Sequence, residues 1–193
     1  MNTIKLKNIV LLIICIFLCI GAKAQKTNTV SAKVIKTEHN ELLTNDTKTD
    51  GYFYYKHPDK MCIRLNNQKD MLLMDGNTYT LMENGEKSIA KGKIMELFNV
   101  LQNVLRDIIC NNPIADVTLC EAAQIDKNGN TITITPKINA KNKRRIVFTS
   151  FVIKFDKNSL KSIRMNKTGE NFTQYDMYDY TTNCNINDNV FIP

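Results

Sequence analysis

The sequence predicts a mainly β, α+β fold in which one curved antiparallel sheet is closed by a single amphipathic helix. Three observations carry this. Segments rich in β-branched and aromatic residues recur along the chain, separated by short turn signals. One segment, "GKIMELFNVLQNVLRDIICNNP", has a sustained helical period. No period of roughly 20–50 residues recurs, which excludes a solenoid.

The elements follow in order. "TVSAKVIKTEHNEL" reads as a strand that "NDTKTDG" breaks. "GYFYYKHPDKMCIRLNN" places dense aromatic and β-branched residues on both sides of a turn centred on Pro58. "MLLMDGNTYTLM", Met71 to Met82, is a hairpin with Asp75-Gly76 as its expected loop. That register sets Met74 opposite Asn77, Leu72 opposite Tyr79 and Met71 opposite Thr80. Leu72, Met74, Tyr79 and Leu81 then share one face, and Met71, Leu73, Thr78 and Thr80 the other. The excess of Met and Leu is unusual for a hairpin with one wet face.

In the helix, Ile94, Leu97, Phe98, Leu101, Val104, Leu105, Ile108 and Ile109 form one apolar stripe. Lys93, Glu96, Asn99, Asn103 and Asp107 take the other side, and Asn111-Asn112-Pro113 ends it. "VTLCEAAQ", "NTITITP", "RRIVFTSFVIKFD", "SLKSIRMNK" and "ENFTQYDMYDYT" are expected strands, with turns at "DKNGN", "DKNS" and "KTGEN". Val147, Thr149, Phe151, Ile153 and Phe155 line one side of the longest. "TNCNINDNVFIP" reads as an extended tail.

The chain has 193 residues, and its start does not read as part of the fold. Lys5 and Lys7 precede twelve apolar residues, Ile9 to Ile20, and then Ala22-Lys23-Ala24. That is the charge, apolar core and small-residue cleavage pattern of a signal peptide over residues 1–24. An uncleaved anchor is the alternative, but spanning a bilayer needs about 20 apolar residues. Leu18 before Cys19 argues against a lipid anchor. Residues 25–193 are then expected to form a single domain. Without Lys5, Lys7 and Lys23, 23 basic residues face 19 acidic ones, a net of +4. The basic residues are scattered apart from "KNKRR", Lys141 to Arg145, so no nucleic acid is expected as partner.

Four cysteines follow the leader: Cys62, Cys110, Cys120 and Cys184. In an exported chain they fit two disulfides with three connectivities, Cys110–Cys120 being the favoured pair, or four free thiols. No C-x-x-C occurs and His39 and His57 stand alone, so no metal and no cofactor is expected. No G-x-S-x-G, H-E-x-x-H or phosphate-cradling glycine loop is present either. Asp75 has a turn role beside Gly76, and the expectation is a protein that is not an enzyme.

The order of pieces, "GYFYYKHPDKMCIRL…MLLMDGNTYTLM" and then "ITITPK", "FVIKFDKNSLKSIRMNKTGENFTQYDMYDY" and "NCNINDNVFIP", resembles the outer-membrane lipoprotein carrier (LolA) family over Gly51 to Pro193. The resemblance implies an incomplete, strongly curved antiparallel β-barrel, a half-barrel, plugged on its concave side. It also implies a periplasmic carrier that shields lipoprotein acyl chains on their way to the outer membrane. Its partners would be acylated lipoproteins, an inner-membrane lipoprotein release complex and an outer-membrane acceptor, with the carrier itself a monomer. An adaptable, Met-rich apolar lining suits such cargo, although the same residues suit a dry core.

On this reading Phe53, Tyr55, Ile63, Leu72, Met74, Tyr79, Leu81 and Phe151 line the cavity, and Ile94, Leu97, Phe98 and Leu101 are lid contacts. The family's lid-latching arginine falls at Cys62 here, which leaves Arg64, on the same strand face, as a substitute that would bond helix or loop carbonyls. The family's first amphipathic helix is also missing, since "QKTNTVSAKVIKTEHNELL" is too short and too β-like to supply it. Two alternatives remain: a periplasmic lipid- or protein-binding sensor or adaptor on the same scaffold, and an export-associated structural protein with a solid β-core.

Overall fold

The computed structural model describes residues 27–113, 121–137 and 147–193. The expected leader, Cys120, "KNKRR" and the first half of "VTLCEAAQ" lie outside the described residues. Eleven strands form one antiparallel sheet. These are β1 (Thr29–His39), β2 (Thr47–Lys56), β3 (Lys60–Leu65), β4 (Asp70–Asp75), β5 (Thr78–Glu83), β6 (Glu86–Ile89), β7 (Ala123–Asn128), β8 (Thr131–Pro136), β9 (Phe148–Asp156), β10 (Ser159–Lys167) and β11 (Phe172–Thr182). The helix, α1, spans Lys93–Ile109, and a short 3-10 helix spans Asp188–Phe191.

The strand order is β6-β5-β4-β3-β2-β1-β11-β10-β9-β8-β7. Two meanders therefore meet where the first strand pairs with the last, Val34 opposite Met177. The outer strands β6 and β7 do not pair, so the barrel is incomplete. Helix α1 lies between β6 and β7 in sequence and links the two arms. Lys36 of β1 and Glu83 of β5 stand four strands apart, about 19 Å along a flat sheet. Their charged ends are 3.5 Å apart, so the sheet is strongly curled. The expected half-barrel closed by one helix is the fold observed.

Gly51 permits a tight approach in one arm. A β-carbon there would sit 2.0 Å from the Arg64 carbonyl oxygen. β2 also extends back through Thr47–Asp50, inside a segment the sequence reads as a break.

The hairpin register differs from the expected one. Asp75 pairs with Thr78, Met74 with Tyr79 and Leu72 with Leu81. The two-residue connection is Gly76-Asn77, with Gly76 at φ 57 in the first central position. The shift is even, so Leu72, Met74, Tyr79 and Leu81 keep one common face. β6 was not foreseen; Asn84 and Gly85, at φ 52 and 81, form the turn that leads into it.

β4 is buried on both faces: Met71, Leu72, Leu73 and Met74 are each at most 8% exposed. On the concave side Leu72 and Met74 join the main core. On the convex side Met71, Leu73 and Cys62 pack against Ile186 and Phe191 of the C-terminal segment. That segment folds back across the strands, which explains the apolar run "MLLM" on both of its faces.

Candidate functional site

The concave face is the candidate site. Its centre comes from β1, whose alternation buries Val30, Ala32 and Val34. Phe53, Tyr55, Ile63, Leu72, Met74, Tyr79 and Phe151 all belong to the same buried cluster. Leu81 lies on the same face by register but is 42% exposed and stays outside the buried cluster. Tyr175, Met177, Ile163 and Met165 complete the surface from β11 and β10; their strand alternation was readable, but their membership of this cluster needed the tertiary path.

Helix α1 occupies the concavity. Leu97, Phe98, Val100, Leu101, Val104, Leu105, Ile108 and Ile109 are buried against the sheet, and Ile94 is half-buried at the margin. The Phe98 ring joins both arms. It stacks on Tyr79 with centroids 5.2 Å apart and meets Phe151 at 5.7 Å and Phe148 at 5.8 Å. Burying eight such side chains contributes roughly 12–24 kcal/mol, an upper figure because the unfolded chain already hides some of this surface. Whole domains are stable by only about 5–15 kcal/mol. Only a ligand that takes over those contacts would hold α1 out.

Polar tethers fix the helix in register. The Tyr79 hydroxyl lies 2.7 Å from Gln102 Oε1 and 2.9 Å from Asn99 Oδ1. Gln102, 4% exposed, also donates through Nε2 to the Asp59 carbonyl. At the helix C-terminus the Tyr55 hydroxyl is 3.2 Å from Cys110 Sγ and 3.3 Å from the Pro58 carbonyl. Burial pushes both phenols above their ordinary range, so they remain neutral donors. Asn99 was expected on the wet side of the helix; its amide reaches Tyr79 instead.

One end of the concave face carries charge. Lys36 Nζ bridges Glu38 at 3.1 Å and Glu83 at 3.5 Å, with its side chain only 12% exposed. The Tyr175 side chain is buried beside this group, which pushes its phenol up.

Arg64 is expected to latch the lid by bonding helix or loop carbonyls. It faces the convex side, where Nε donates to the Val190 carbonyl at 3.0 Å and Nη2 to Ile192 at 2.5 Å and Asn189 at 3.4 Å. Register parity decides this: Ile63 points into the concavity, so Arg64 points out. Arg64 holds the C-terminal segment, not α1. Cys62 lies beneath that segment and donates to the Val190 carbonyl at 3.2 Å. Burial pushes its thiol up to about 12, against the opposing pull of Arg64. Cys62, Cys110 and Cys184 are free thiols; Cys120, the expected partner of Cys110, lies outside the described residues.

Among the described residues no group of three or more His, Cys, Asp or Glu side chains stands close enough to hold a metal ion. Nor is any described helix long and apolar enough to cross a membrane. His39 is held by Asp46 at 2.8 Å and stacked on Phe172.

Solved structures with similar chains include a DUF1329 family protein from Desulfovibrio piger, 9% identical, covering 86% of this chain and 90% of that one with a TM-score of 0.46. They also include a LolA superfamily protein from Nitrosomonas europaea, 7% identical over 86% and 91% of the two chains, TM-score 0.38. The lipoprotein LppX of Mycobacterium tuberculosis is 14% identical over 83% and 90%, TM-score 0.35. No curated protein matches the sequence. The family model described as outer membrane lipoprotein carrier protein LolA matches residues 25–193, and this chain belongs to that family.

Proposed function

We propose that this protein is a periplasmic carrier that shields the acyl chains of lipoproteins in transit to the outer membrane. The observation that supports this best is the relation of α1 to the sheet. A single helix, rather than sheet against sheet, fills the concave apolar face. Its contacts are of the non-directional kind that an acyl chain would reproduce. Family membership over residues 25–193 points the same way.

On this reading residues 1–24 are a signal peptide and residues 25–193 act as one domain. Cargo enters at the end marked by Leu81, where Lys36 and Glu83 meet across the mouth. It displaces Leu97, Phe98 and Leu101 from Phe53, Ile63, Met74, Tyr79 and Phe151. Partners are acylated lipoproteins, an inner-membrane release complex that loads the carrier and an outer-membrane acceptor that empties it. The role is binding and release, with no bond made or broken.

Native mass spectrometry of the protein purified from the periplasm tests this. Masses of acylated polypeptides bound one to one support the carrier. One regulatory protein recovered in their place would make the chain a sensor or adaptor. No bound species, together with no uptake of a fluorescent palmitoyl probe, would make the concave face a permanent core.

A further inference from the structure

The convex face presents a row of side chains across four neighbouring strands. Tyr178 of β11, Lys33 of β1, Tyr52 of β2 and Arg64 of β3 are successive cross-strand partners. Tyr52 and Tyr178 are 43% and 41% exposed, a large aromatic area for a surface, and Lys33 Nζ stands 5.9 Å from the centroid of the Tyr178 ring. Tyr54 supports the first ring from the next position on the same face, with centroids 6.1 Å apart and planes 21° apart. Tyr54 is itself packed against the C-terminal cluster, so this ring pair has a fixed base.

A groove of about 380 Å³ lies over this row, with Asp50, Asn67 and Gln68 on its wall. The wall is a strained turn. Asn66, Asn67 and Gln68 have φ of 49, 53 and 70, three successive residues in the left-handed region, which Asn enters more readily than most side chains and Gln rarely. Arg64 Nη1 fastens the turn through the Gln68 carbonyl at 3.3 Å. Such strain persists where the surroundings enforce it, and it concentrates at ligand sites.

The lining chemistry selects the ligand. An acyl chain is disfavoured by the amide and charged wall. A phosphate or carboxylate is disfavoured because both cations are already engaged: Lys33 with Asp179 at 2.9 Å, Arg64 with backbone carbonyls. A sugar satisfies both kinds of surface. Its C–H faces stack on aromatic rings, and its hydroxyls bond to amides and carboxylates. The two exposed rings stand two strands apart, about 10 Å, which is the reach of linked rings more than of one.

We propose that this groove binds an oligosaccharide, with Tyr52 and Tyr178 as stacking platforms and Asp50, Asn67 and Gln68 as hydroxyl partners. The site is separate from the concave face and does not depend on the carrier role.

The test uses the whole processed chain. It has no Trp, so emission comes from its seven tyrosines, and the part of the binding signal lost in Tyr52→Ala and Tyr178→Ala reports the site. Cellohexaose, maltohexaose, chitohexaose and xylohexaose, all without carboxylates, are each titrated to about 10 mM, a range that captures weak single-site binding. The expected result is saturable binding of at least one probe, weakened about tenfold by Tyr52→Ala and by Tyr178→Ala. Melting temperature and palmitoyl-probe uptake should stay unchanged. If either variant loses its melting transition, Gln68→Gly, which suits the positive φ, replaces it under the same requirement. No binding of any of the four sugars, or an affinity unaltered in the Tyr52→Ala/Tyr178→Ala double variant, would overturn the proposal.

Discussion

The Tyr79 hydroxyl meets Gln102 Oε1 at 2.7 Å, joining the β5 arm of the sheet to the buried side of α1. Tyr79 also stacks on Phe98, so one side chain supplies both a polar and an aromatic anchor for the helix. Tyr79→Phe keeps the ring and removes the donor, leaving a buried amide oxygen without its partner. The expected loss is about 1–3 kcal/mol in urea unfolding. Uptake of a palmitoyl probe should become faster, because the helix leaves more readily.

Phe98→Ala removes the ring that bridges Tyr79 to Phe148 and Phe151. Truncating a buried Phe typically costs about 3–5 kcal/mol. Calorimetric or urea unfolding should show a loss in that range. A loss below about 1 kcal/mol would mean that the two arms are held together elsewhere.

Lys36 and Glu83 meet across one end of the concave face, the mouth in the proposed carrier. Glu83 is half exposed, so the pair contributes little to stability, within about 1 kcal/mol. Glu83→Gln should therefore leave the unfolding midpoint nearly unchanged. If this pair closes the mouth, the same substitution should speed probe uptake in stopped-flow mixing. Added salt should speed uptake in the native protein and have less effect in the variant.

Arg64→Leu removes the bonds that hold the C-terminal segment over Cys62. In the native protein burial keeps the Cys62 thiol protonated up to about pH 12, and it should resist iodoacetamide near neutral pH. With the segment released, burial is lost and the alkylation profile should move down towards an ordinary thiol near 8.5, as read by mass mapping of the modified cysteine. Stability follows the same sign. Between about pH 8.5 and pH 12 the unfolded chain gives up this proton while the folded chain keeps it. Folding therefore weakens as pH rises, and Cys62→Ala should remove that part of the slope.

The helix and most strands were legible because their periods differ, and Ile94 to Ile109 at helical spacing admits no strand reading. The concave lining was legible for a narrower reason. Parity alone puts Leu72, Met74, Tyr79 and Leu81 on one face, and this survives the register shift from Asp75-Gly76 to Gly76-Asn77 because the shift is even. Parity does not say which face is covered, nor by what. The second burial of Met71 and Leu73 depends on Ile186 and Phe191, more than a hundred residues away. The lid role expected for Arg64 fails for the same reason: its strand position is visible in the sequence, but the C-terminal segment on its own side is not. Asn99 reads as an ordinary wet-face amide until Tyr79 is brought beside it, and Gln102 carries no signal in the sequence before Tyr79 and Asp59 meet it. β6 had a local signal in Asn84-Gly85, but its four exposed residues show no apolar alternation.

Hydrogen exchange of the backbone of α1, with and without a saturating palmitoylated peptide, tests the displaceable helix most directly. Protection of residues 94–109 should fall when the peptide binds, while β1, β2 and β11 stay protected. Peptide bound with α1 still fully protected would contradict the account.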